Sequence, residues 1–100
     1  MNPSATTFFN KHLEDLKNEY SSICEEIESY EQKMGITSHL TGDKEYYQLC
    51  IEKWETYLDI KRTEAILNGS EFSYIRQHKP VALNKIKQFT DLQRKVDVIQ

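Results

Sequence analysis

Glycine and proline are scarce, three and two in 100 residues, so the chain holds few of the residues that break regular structure, and a low-complexity or loop-dominated polypeptide is excluded. The glycines Gly35, Gly42 and Gly69 form no cluster, which excludes nucleotide binding by a glycine-rich phosphate loop. Cys24 and Cys50 are too few for a four-ligand zinc site and lack the CxxC spacing of a redox pair. His12, His39 and His78 are scattered, with neither an HxxxH nor an HExxH pattern, and the Glu-x-x-His repeats of dimetal helical bundles are missing. No metal or cofactor is therefore expected. No run of about 18 apolar residues exists to span a bilayer, and the N-terminus MNPSATTFF lacks the basic region and apolar run of a secretory signal. These absences lead us to expect a cytoplasmic protein with reduced thiols and no membrane partner.

What is present is 38% hydrophobic and 29% charged, the composition of one globular domain over residues 1–100. A domain this small buries roughly two-thirds of its unfolded surface, enough for a core but little for a deep enclosed pocket, so an enzyme is not expected. Charge is unevenly placed. Residues 1–60 hold twelve acids against five bases and residues 61–100 four acids against eight bases, a net of −7 and +4 within an overall −3. The simplest account is intramolecular, a basic C-terminal helix lying near acidic N-terminal ones.

From Phe9, the residues Leu13, Leu16, Tyr20, Ile23, Ile27, Tyr30 and Met34 follow at alternating spacings of three and four, an unbroken heptad stripe. This predicts a helix over 3–34, with Asn2 and Pro3 as cap and first turn, Ser4, Thr6 and Thr7 as competing starts, and Gly35 as terminator. The stretch 35–43 is a connection in which Thr41 or Asp43 caps a second helix over 43–67. That helix carries Tyr47, Cys50, Ile51, Trp54, Leu58 and Ala65 on one face and Tyr46, Tyr57, Ile60 and Leu67 towards another, so it is expected to make contacts on more than one side. Asn68-Gly69-Ser70, a turn more than a glycosylation signal, ends it. Ser70 then caps a short helix over about 70–78 that buries Phe72 and Ile75, and Pro80 opens a last helix with the stripe Leu83, Ile86, Phe89, Leu92, Val96 and Ile99.

A short connection between long helices makes an antiparallel hairpin. With the turn centred near residue 38.5, facing residues have numbers summing to about 77, pairing Tyr30 with Tyr47, Ile27 with Cys50 or Ile51, Ile23 with Trp54, and Tyr20 with Tyr57. The fold expected is all-α: this hairpin with a third long helix packed on it, a three-helix bundle with a short extra helix. The narrow first stripe also suits a coiled-coil seam, so a homodimer stays open beside the monomer.

Glu25, Glu26, Glu28 and Glu31 concentrate four acids in seven residues, a solvated face or a surface for a basic partner, which Glu52 and Glu55 extend if they project to the same side. Tyr46 and Tyr57 lie off the best seam, as rim positions or partner anchors. Arg76, Lys79, Lys85, Lys87, Arg94 and Lys95 make the C-terminal region basic, but without the overall positive charge or aromatic motif of a nucleic-acid reader. The leading expectation is a non-enzymatic helical module that binds another protein. A small accessory inhibitor of a nucleic-acid enzyme, acting through the acidic face, is the first alternative. Weak nucleic-acid binding by the basic helix is the second.

Overall fold

A computed structural model describes residues 2–34 and 43–99. The helix α1 spans Pro3–Met34, α2 spans Lys44–Asn68, α3 spans Glu71–Ser73, a π-helical turn covers Tyr74–His78, and α4 spans Lys79–Ile99. The described chain is all-α, a three-helix bundle. The expected connection at 35–42, with Gly35 as terminator and Thr41 as a cap, lies outside the described residues, as do the side chains of Met34 and Ile99 at the ends of the two stripes.

Local chemistry sets the helix ends. Asn2 accepts the Ala5 amide at 2.8 Å on Oδ1, so α1 starts at the expected Asn2-Pro3 pair. Asp43 caps α2 by accepting the Tyr46 amide at 3.1 Å on Oδ1, and its Oδ2 accepts the Tyr30 hydroxyl at 2.7 Å, so one carboxylate starts α2 and holds the end of α1 against it. Gly69 closes α2 at φ 67°, a left-handed conformation that penalises any side chain, while the Gly69 and Ser70 amides both reach the Ala65 carbonyl.

α2 is the middle helix, and α1 and α4 each pack along it far more extensively than they approach one another. Its buried residues include Tyr46, Tyr47, Cys50, Ile51, Ile60 and Ala65, spread around its circumference as two-sided contact requires. The central cluster joins Ile23 and Ile27 of α1, Tyr46, Tyr47 and Cys50 of α2, and Val96 of α4, flanked by Tyr30, Leu49, Phe89 and Leu92. The hairpin register agrees with the expected sum. Tyr20 lies within electrostatic reach of Tyr57, and the Tyr30 ring lies tilted beside Tyr46, one residue from the expected Tyr47, with centroids 6.1 Å apart, whereas the Lys17–Glu64 ion pair at 3.9 Å falls about a turn off that sum. Ile23 departs in detail, sharing a cleft with Glu52 and Thr56 while Trp54 packs edge-on against Tyr57 at 5.2 Å.

The region after Gly69 corrects the sequence reading. Phe72 and Ile75 are not buried but 70% and 56% exposed, and Leu83 is exposed as well, while Ala82 is wholly buried. Helical structure runs from Glu71 to Ile99 without a second start at Pro80. Proline lacks an amide and its ring crowds the carbonyl four residues back, which an ordinary α-helix does not tolerate in its interior. The π turn just before it absorbs this misfit by bonding the Lys79 amide to the Tyr74 carbonyl, five residues back. The face that α4 turns inward is Ala82, Ile86, Phe89, Gln93 and Val96, at spacings of four, three, four and three. Gln93, half-buried at the edge of that face, bonds across to α2 by donating to Gln48 Oε1 at 2.9 Å and to the Lys44 carbonyl at 3.3 Å.

Candidate functional site

Two helical rows meet along the outer seam of the hairpin. On α1, Glu19, Ile23, Glu26 and Tyr30 recur at spacings of four, three and four; on α2, Glu45, Leu49, Glu52, Thr56 and Asp59 do the same, with Glu55 beside them. One cleft is lined by Glu26, Tyr30, Glu45, Gln48, Leu49 and Glu52. The next is lined by Glu19, Ile23, Glu52, Glu55, Thr56 and Asp59. Because Glu52 belongs to both, they form one open trough with Ile23, Leu49 and Thr56 along it. The ion pairs that Lys17 and Lys61 make both go to Glu64, outside this trough, and not to any of its six carboxylates.

The acidic residues singled out from sequence divide here. Glu25, Glu26, Glu28 and Glu31 are all exposed, but of these Glu26 alone lines the trough. Glu52 and Glu55 do project to its side. Glu19, Glu45 and Asp59 were missed, although the hairpin sum could have found Glu19 and Asp59, which total 78 as Glu26 and Glu52 do. Glu31 instead lies near Tyr46 and Cys50.

Tyr46 is 7% exposed, which puts its ring in the core; burial, with Cys50 and Glu31 nearby, pushes its phenol up to about 12. Tyr57 is half-buried, its hydroxyl 3.1 Å from His78 Nδ1 and the Lys61 ammonium 5.6 Å from its ring centre. Beside it, Lys61, Glu64, Asn68, Ser73, Tyr74 and His78 line a polar pocket of about 180 Å³, smaller than the roughly 300 Å³ at which small-molecule sites begin. Both cysteines are free, Cys24 half-buried and Cys50 buried, and burial holds the Cys50 thiol above its ordinary value. Among the described residues no group of three or more His, Cys, Asp or Glu is placed to hold a metal ion.

Of the basic candidates, Arg76, Lys79, Lys87, Arg94 and Lys95 are exposed and Lys85 is half-buried. Arg76 lies 4.7 Å over the Phe72 ring, a cation–π contact at the surface. No cation of α4 forms an ion pair among the described residues. The basic helix packs on α2 without such a direct ion pair among the described residues. Among the described residues no helix is long and apolar enough to cross a membrane. No protein-family model, curated protein or solved structure matches this chain.

Proposed function

We propose that this chain is a non-enzymatic helical interaction module that binds a basic protein surface along the acidic trough between α1 and α2. The supporting observation is the convergence of Glu19, Glu26, Glu45, Glu52, Glu55 and Asp59 on one open trough, while the Lys17 and Lys61 ion pairs go to Glu64 outside it. Carboxylates left together cost mutual repulsion, which a partner cation relieves, and such a field also speeds encounter with a basic surface. A regulatory form of this reading is an accessory protein that occupies the basic site of a nucleic-acid enzyme. The free thiols fit a reducing, cytoplasmic setting.

The test is fluorescence anisotropy with a labelled, helix-forming peptide rich in lysine and arginine, at low and at moderate salt. Binding is expected at low salt and to weaken as salt rises. The triple variant Glu26→Lys, Glu52→Lys, Glu55→Lys should bind at least tenfold more weakly while keeping its helical circular dichroism, because all three side chains are exposed. Equal binding by the variant, or none by the wild type at low salt, overturns the reading.

A further inference from the structure

Thr56 differs from every other described threonine. Thr6, Thr7, Thr63 and Thr90 each donate their hydroxyl to the carbonyl four residues back, at 2.7–3.2 Å, the usual way a helical threonine satisfies itself. The Thr56 hydroxyl makes no such bond, nor any other among the described residues, although Thr56 is only 6% exposed. A buried hydroxyl without a partner is costly and calls for one. Thr56 lines the floor of the trough among Glu19, Glu52, Glu55 and Asp59, with Ile23 beside it. The charged side chains that line this cleft are all carboxylates, which accept hydrogen bonds and, ionised, supply none.

We propose that this cleft is the anchor pocket for one arginine side chain of a basic partner protein, an inference that rests on the trough being the binding face. The missing element is a set of donors, not a further acceptor. A guanidinium brings five N–H donors in a planar fork and no acceptor, enough to bond the Thr56 oxygen and the flanking carboxylates together. Its methylene stem packs on Ile23 as the head reaches the acids. An ammonium has three donors about a compact, strongly hydrated charge and gives up more hydration to enter a cleft this close to apolar surface. A metal ion is a poorer fit, since among the described residues no carboxylate set is placed to hold one.

The experiment compares an arginine-bearing helical peptide with the same peptide carrying lysine at every arginine, against wild type and Thr56→Val, which keeps the shape and removes the hydroxyl. Wild type should prefer the arginine peptide by about tenfold, and Thr56→Val should lose that preference while still binding both peptides through the carboxylates. Thr56→Val should also melt at a higher temperature, because it removes an unpartnered buried hydroxyl. Salt-sensitive binding without arginine preference, or with a preference that survives Thr56→Val, sinks the anchor and leaves the acidic face standing. A lowered melting temperature in Thr56→Val overturns the premise that the hydroxyl is unpartnered. A salt-sensitive dimer of the free protein that Thr56→Val dissolves assigns the cleft to an arginine of a second copy and overturns a foreign partner.

Discussion

At the scale of single residues, the most consequential bond in the fold is the one from the Tyr30 hydroxyl to Asp43, because the same carboxylate caps α2. That bond, with a smaller contribution from burial, pushes the Tyr30 phenol up to about 12, and burial does the same for Tyr46. Both groups hold their protons more tightly folded than unfolded, where the phenol loses its proton near 10. Their stabilising effect is therefore complete below pH 10 and is lost as pH rises from 10 to about 12. Cys50, raised from 9.0, starts the decline slightly earlier. Urea midpoints measured across this range should fall, and Tyr30→Phe should fall less steeply because one titrating phenol is gone. A flat profile in the wild type contradicts the Tyr30–Asp43 geometry.

Among the elements, α4 shows where pattern reading succeeds and where it stops. The long helices, the Asn2 and Asp43 caps and the Gly69 terminator were legible because each depends on local residue chemistry. The two-sided character of α2 was legible too, in the spread of its apolar residues. The π turn was not, because nothing in Tyr74–His78 announces a wider helical turn, and Pro80 reads by default as a fresh helix start. A search for large apolar residues chose Leu83, yet the inward position belongs to Ala82, whose methyl gives no pattern signal. The trough shows the same limit. Density of acids drew attention to Glu25, Glu28 and Glu31 as well as Glu26, whereas convergence depends on register, which keeps Glu26, Glu52 and Glu55 and adds Glu19, Glu45 and Asp59. The position of Ala82 carries its own prediction. Ala82→Leu should cost about 1–3 kcal/mol in unfolding free energy by overpacking, while Leu83→Ala, at an exposed site, should change it little. Equal effects from the two would place the α4 face one residue away from where it lies here.

For the whole molecule, the length of α1, 32 residues or about 48 Å, sets an elongated shape. The radius of gyration is 16.0 Å and the long axis 51 Å, against roughly 13 Å for a compact chain of 100 residues. Small-angle scattering from a monomer of 11.9 kDa should return this elongated particle. A value near 13 Å would mean that α1 does not persist as one straight helix, since its 32 residues alone span about 48 Å.

The odd number of long helices has a geometric consequence of its own. α1 runs one way along the rod, α2 returns, and α4 runs the first way again, so the polypeptide enters at one pole and leaves at the other. A bundle of two or four such helices sends its chain back to where it came from; this one passes it on. Fused in line between two other proteins, it would hold them apart by much of its 51 Å length, with the acidic trough facing sideways and free of both.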